Sequence, residues 1–143
     1  SSIAILSALR YRDITDNGQH IDISLLDSQV SWLSYVAQSY LISNEIPKRL
    51  GNDQPSIVPY QTVEAADGLM VLAIANDNQF KKFCEFANLS QLYLERKYKT
   101  NSARVKNRKS LNMILKKTFL KNKIQYWVNG LVKLNVPCGP IRI

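Results

Sequence analysis

Gln61-Thr62-Val63-Glu64-Ala65-Ala66-Asp67-Gly68-Leu69-Met70-Val71-Leu72-Ala73-Ile74-Ala75 decides the fold class. Two β-prone runs, 61–65 and 69–75, flank Ala66-Asp67-Gly68. Glycine there supplies the positive φ that a tight turn needs, so the stretch predicts a hairpin. Upstream, Lys48 to Tyr60 holds Gly51, Asn52, Asp53, Pro55 and Pro59, all turn formers, and predicts a loop. Downstream, Asn76 or Asp77 is placed to cap a helix carrying Phe80, Phe83, Cys84 and Ala87. Residues 88–100 are polar and show no clear period. Thr100 or Asn101 begins a basic helix to about Leu120, with Val105, Leu111, Ile114, Leu115 and Phe119 inward. A last helix carries Ile124, Trp127, Val128, Leu131 and Leu134. Asn135 ends it, and Val136-Pro137-Cys138-Gly139-Pro140 reads as extended.

The N-terminal part reads helix, strand, helix. Ile3, Leu6 and Leu9 recur at helical spacing over residues 1–12, and Asp16-Asn17-Gly18 stops that helix. Gln19 to Leu25 alternates, with Ile21, Ile23 and Leu25 on one face, and predicts a strand. Asp27 or Ser28 is the expected cap of the next helix, whose apolar stripe is Val30, Leu33, Val36 and Tyr40. The chain is therefore expected to be mixed α and β (α/β). Trp32, Tyr35, Tyr40, Tyr126 and Trp127 stand at spacings expected of core residues.

Composition limits the chemistry. Apolar residues make up 45% of the 143, enough for a core. The longest apolar run, Leu69 to Ala75, is too short to span a bilayer, and no membrane contact is expected. Two cysteines far apart in sequence, Cys84 and Cys138, predict no disulfide framework and a cytoplasmic setting. One histidine, His20, and no CxxC exclude the usual zinc patterns, so no metal site is expected. His20 and Asp22 share a strand face, where a surface polar pair is the simpler reading than a base and its orienting group. Cys138, between two prolines, lacks a base nearby in sequence and reads as structural. Neither a phosphate-cradling Walker loop nor GxGxxG occurs. Charge is uneven. Residues 1–80 hold 4 Lys and Arg against 9 Asp and Glu, residues 81–143 hold 15 against 2, and the net is +8. Solvated helix faces account for this more simply than an anionic partner does.

Four ordered stretches carry a sharper reading. The first is Ile3-Ala4-Ile5-Leu6-Ser7-Ala8-Leu9 followed by Gly18-Gln19-His20-Ile21-Asp22-Ile23-Ser24-Leu25-Leu26-Asp27-Ser28. The second is Arg49-Leu50-Gly51-Asn52, then Ile57-Val58-Pro59-Tyr60-Gln61 and Ala66-Asp67-Gly68. The third is Thr100-Asn101-Ser102-Ala103-Arg104-Val105-Lys106-Asn107-Arg108. The fourth is Val136-Pro137-Cys138-Gly139-Pro140-Ile141. In this order they resemble the class III CoA-transferases, the family of formyl-CoA transferase, carnitine CoA-transferase and α-methylacyl-CoA racemase, over nearly the whole chain.

The resemblance implies a transferase that moves CoA between an acyl-CoA and a carboxylic acid. An aspartate carboxylate attacks the thioester, a mixed anhydride forms, and returning CoA thiolate gives an enzyme-bound thioester that the acceptor acid resolves. Coenzyme A is then a substrate, with no tightly bound cofactor. Intact relatives have a Rossmann-like large domain and a smaller one and form homodimers. On this alignment residues 1–44 are the helix-strand-helix connecting part of the large domain and 45–143 the small domain. The nucleophilic aspartate and most CoA contacts fall upstream of residue 1, so no catalytic residue is expected in this chain, and it is expected to be inactive alone. The sequence opens without Met on apolar residues and closes on an extended-looking Pro140-Ile141-Arg142-Ile143. Both flanks are expected to be missing, with a complementary N-terminal half as partner.

The family's loop over the site corresponds to Gly51, Asn52, Asp53, Gln54 and on to Tyr60. Many relatives have His where Gln54 stands, and this loop has fewer glycines than the formyl-CoA enzymes, which disfavours oxalate. From Asn88 to Tyr98 the chain departs from the family's Asp-Pro-containing stretch. A competing reading, a small basic nucleic-acid-binding module, lacks an aromatic strand platform or a recognisable nucleic-acid motif. Nucleic acid is not the expected partner.

Overall fold

The computed structural model describes residues 1–141, so the last two residues of the extended-looking C-terminal run, Arg142 and Ile143, lie outside the described residues. The chain is mixed α and β and divides into two compact units, Ser1–Lys48 and Arg49–Ile143.

The first unit holds α1 (Ser2–Thr15), α2 (Leu25–Ser31) and α3 (Ser34–Ser43). Asp16, in the left-handed conformation, ends α1 as the Asp-Asn-Gly signal predicts. The expected strand over Gln19–Leu25 is absent. Its alternation is real, but no strand pairs with it among the described residues, and a lone strand has nothing to satisfy its backbone. Leu25 instead opens α2. The cap is Ser24, whose Oγ accepts from the Asp27 amide at 3.2 Å, rather than Asp27 or Ser28. Asp27 lies one turn in, where its charge suits the helix N-terminus. The expected single helix is broken at Trp32-Leu33, with Ser34 at φ 38°. No residue of this unit is buried. Ile3 is 82% exposed, Leu25 83% and Trp32 81%. Trp32, Tyr35 and Tyr40, expected in a core, are all exposed here.

The second unit is a three-stranded antiparallel sheet covered by helices. β1 (Tyr60–Ala65) and β2 (Gly68–Ala73) form the expected hairpin, pairing from Tyr60↔Ala73 to Ala65↔Gly68. Gly68 adopts φ 147°, a region unfavourable to side chains. The turn is docked by its own acid: Asp67 Oδ1 accepts from the Ile124 amide at 2.7 Å. It thereby caps α8 (Ile124–Lys133), which has no side-chain cap from its own N-terminal flank. The run after Asn135 forms β3 (Cys138–Pro140), pairing with β2 through Leu72↔Cys138 and Met70↔Pro140. Proline suits such a short edge strand.

Val63, Ala65, Met70 and Leu72 point from the hairpin into the core. They meet Leu111, Leu115 and Phe119, which recur at helical spacing on α7 (Arg108–Phe119). Phe80, Phe83 and Cys84 of α4 (Asp77–Phe86) join them, as do Trp127 and Leu131 of α8. Each buried Val, Leu, Met or Phe among them contributes about 1.5–3 kcal/mol by leaving water. Tyr126, beside Trp127, is exposed rather than core. Asn88 and Asn135 stand just past α4 and α8 at φ 56° and 57°. Leu89 N donates to Cys84 O, and Val136 N to Leu131 O, closing both helices by the same Schellman pattern.

One undecided stretch takes shape and one further expectation is corrected. Residues 88–100 include a short helix, α5 (Ser90–Leu94), that buries Leu92. The basic helix starts where Thr100 predicts but breaks into α6 (Asn101–Lys106) and α7. At the break, Asn107 Nδ2 donates to Lys97 O at 3.2 Å, ahead of the helix, and to Ala103 O at 2.9 Å, sharing that carbonyl with its own backbone amide. Val105 and Ile114, expected inward, are half-buried.

Candidate functional site

The loop from Gly51 to Tyr60 is held by its own internal hydrogen bonds and by side chains of the helical stretch from Asn101 to Arg108. A turn opens it, with Asp53 N donating to Leu50 O at 3.2 Å and Gly51 at φ 63°. Gln54 N donates to Tyr60 O at 2.9 Å, closing the loop on the start of β1. The Gln54 carboxamide is spent inside the loop, its Oε1 accepting from Ser56 N at 2.6 Å and from Ile57 N.

Asn101, Arg104 and Arg108 lie at i, i+3 and i+7 across α6 and α7, so one face meets the loop. Asn101 Oδ1 accepts from Val58 N at 3.0 Å and its Nδ2 donates to Ser56 O at 2.7 Å. Arg104 is wholly buried. Its Nε donates to Val58 O at 2.6 Å and its Nη1 to Tyr98 O at 3.1 Å. Asp77 Oδ1 lies 2.8 Å from Nη2, as a charge contact rather than an aligned hydrogen bond. The guanidinium also lies over the Phe80 ring, 4.3 Å from its centre. Arg108 Nη2 donates to both Gln54 O at 2.7 Å and Pro55 O at 2.8 Å. Its Nη1 is 3.5 Å from Asp53 Oδ2, close enough for attraction without an aligned bond.

The structure thus brings Asp53 and Gln54 together with the helix, leaves Gly51 and Asn52 exposed at the tip, and leaves Tyr60 38% exposed at the loop's end. Sequence reasoning missed Asn101, Arg104 and Arg108 as loop anchors, although their one-face spacing was visible.

Three aspartates lie in or near the family-like stretches, and the structure gives each a place. Asp27 sits in the first turn of α2, Asp67 caps α8, and Asp53 faces Arg108. Burial pushes the Cys84 thiol up to about 12, against the opposing pull of Arg104, and burial also raises Cys138. Both shifts run against thiolate formation at neutral pH. His20 and Asp22 are exposed on the unpaired segment before α2 and make no hydrogen bond to each other. Among the described residues no group of three or more His, Cys, Asp or Glu is placed to hold a metal, and no helix is long and apolar enough to cross a membrane.

Comparison with known proteins matches residues 1–143 to the family model described as CoA-transferase family III. Mouse succinyl-CoA:glutarate CoA-transferase is 41% identical over 138 residues, covering 96% of this chain and 32% of that protein. Succinate–glutarate CoA-transferase of Agrobacterium fabrum is 38% identical over 138 residues, with 96% and 34% covered. Among solved structures, a CAIB/BAIF family protein from Brucella suis aligns with TM-score 0.72 and 41% identity, covering 99% of this chain and 37% of that one. Rv3272 from Mycobacterium tuberculosis, at 16% identity, shares the fold with TM-score 0.77 over 99% of this chain and 36% of its own. The chain spans about a third of the length of the relatives it matches.

Proposed function

Because this chain belongs to CoA-transferase family III, we propose that it is the loop-bearing portion of an enzyme moving CoA from an acyl-CoA to a carboxylic acid. The observation that carries the reading is the family match over residues 1–143, with 41% identity to a relative named for that reaction. The relatives named for succinate and glutarate point to a dicarboxylic acid as acceptor and succinyl-CoA as donor. The loop Gly51, Asn52, Asp53, Gln54 to Tyr60 covers the reacting groups and keeps water from them. That role suits a segment whose carbonyls are held by Arg104, Arg108 and Asn101 rather than by solvent.

The carboxylate that attacks the thioester is supplied from outside these residues, in this reading. Supporting it, the Asp53 carboxylate faces Arg108 and the Asp67 carboxylate caps α8, while Asp27 lies in the first turn of α2. The same reading divides the chain into a connecting part of a large domain and a small domain carrying the loop, in an assembly that acts as a homodimer. The test is transfer from succinyl-CoA to glutarate, followed by glutaryl-CoA formation. The chain alone is expected to give none, and mixing it with the portion of the Agrobacterium relative that it does not match is expected to restore transfer. Transfer by the chain alone, with hydroxylamine trapping an acyl group on Asp27 or Asp53, would overturn the assignment of an external nucleophile. No transfer in the mixture would count against the reaction itself.

A further inference from the structure

We infer that Arg108 is a positioning residue for the transfer reaction: it sets the closed shape of the loop and so decides whether the enzyme-bound CoA thioester is resolved by the acceptor acid or by water. This rests on the reading of the loop as the cover of the site. The geometry that carries it is the convergence of three consecutive residues on one guanidinium. Gln54 O and Pro55 O both accept from Nη2, at 2.7 and 2.8 Å, and Asp53 Oδ2 lies 3.5 Å from Nη1. Successive carbonyls of an extended chain point apart, so two that meet at one nitrogen mark a bend. Their negative ends also repel each other unless a positive charge lies between them. Arg108 supplies that charge, and its planar fork reaches Asp53 as well, which a single ammonium does not match.

Arg104 has a different task. It is wholly buried, grips Val58 at the root of β1, and touches Tyr98, Asp77 and Phe80, so its loss loosens the unit as a whole. Arg108 reaches only the outer half of the loop. The two layers are separable because Asn101 and Arg104 hold Ser56 and Val58 independently of Arg108.

If the loop covers the reacting thioester, loosening it admits water. Water then adds to the carbonyl carbon of the enzyme-bound thioester in place of the acceptor carboxylate, the carbon–sulfur bond breaks, and the enzyme's carboxylic acid and free CoA thiol result. A merely structural arginine would lower the total rate without changing this partition. The experiment has two arms on Arg108→Met, Arg108→Lys and Asp53→Asn, the last leaving α7 untouched in case the first folds poorly. Amide hydrogen exchange of the chain without substrate is expected to rise about tenfold at 53–57 in Arg108→Met, less in the other two, with β1 and α7 unchanged. In the assembly of this chain that transfers CoA, the ratio of free CoA thiol to transferred product is expected to rise in the same order, with Arg108→Lys partly rescued. Unchanged exchange at 53–57, or exchange raised equally across β1 and α7, would overturn the role of Arg108. Raised loop exchange with an unaltered partition would overturn it too. Absence of transfer by the unmodified assembly would sink the transferase reading instead, while the exchange arm still decides whether Arg108 holds the loop.

Discussion

A guanidinium without exposed surface is tolerable at Arg104 because backbone carbonyls, a carboxylate and an aromatic face surround it. Arg104→Leu would strand the carbonyls of Val58 and Tyr98, and it is expected to cost about 3 kcal/mol, read as a lower urea midpoint. Cys84 gives a residue-scale pH dependence. Its buried thiol titrates near 12, above the ordinary value of 9.0, so the folded chain keeps a proton that the unfolded chain releases. The associated stability is intact below about pH 9 and is lost as pH rises toward 12, by at most about 1.4 kcal/mol per pH unit. Cys84→Ala is expected to flatten that alkaline decline relative to the unmodified protein, whatever constant cost its cavity adds. Thermal melts from pH 8 to 10.5 measure the difference. Such residues were only half legible in the sequence. The spacing of Asn101, Arg104 and Arg108 placed them on one face, but Lys97, Lys99, Lys106 and Lys109 surround them in a strongly basic segment. Nothing in that charge pattern distinguishes an inward arginine from the solvated lysines beside it.

Among the elements, those with self-contained signals were legible. The hairpin carries both its alternation and its Asp-Gly turn locally, and the caps at Asn76 and Thr100 precede their helices directly. Elements that depend on a distant partner were not. Gln19–Leu25 alternates like a strand but finds none to pair with, whereas Cys138–Pro140 becomes a strand only because β2 has a free edge. The cap on α8 was hidden for the same reason, since Asp67 reaches it from 57 residues away. Asp67→Ala is expected to cost about 1 kcal/mol and to raise amide exchange in the first turn of α8 more than elsewhere. Gly130 marks a second long-range constraint. A Cβ there would come within 2.0 Å of the Phe86 ring, which stacks on Tyr126 at 5.3 Å. Gly130→Ala is expected to destabilise by about 1–2 kcal/mol after the better helix propensity of alanine is counted, with near-ultraviolet dichroism reporting the displaced ring.

At the scale of the whole molecule, the two units differ in how much they bury. Arg49–Ile143 has a continuous core, and Ser1–Lys48 has no buried residue. Exposed Ile3, Leu6, Ile14, Leu25, Leu26, Trp32, Leu41 and Ile42 favour association, while the net charge of +8 opposes it. Salt near 0.15 M confines that repulsion to about 8 Å, so the full chain is expected to self-associate at physiological salt and less so at low salt. Residues 49–143 expressed by themselves are expected to remain monomeric at both, and light scattering decides. The antiparallel pairing of β2 with Cys138–Pro140 has a consequence in time as well as in space. A ribosome delivers β2 long before β3, so for some 65 residues of elongation, at about 5–20 residues per second, the nascent hairpin presents an open edge that Cys138–Pro140 closes when it emerges.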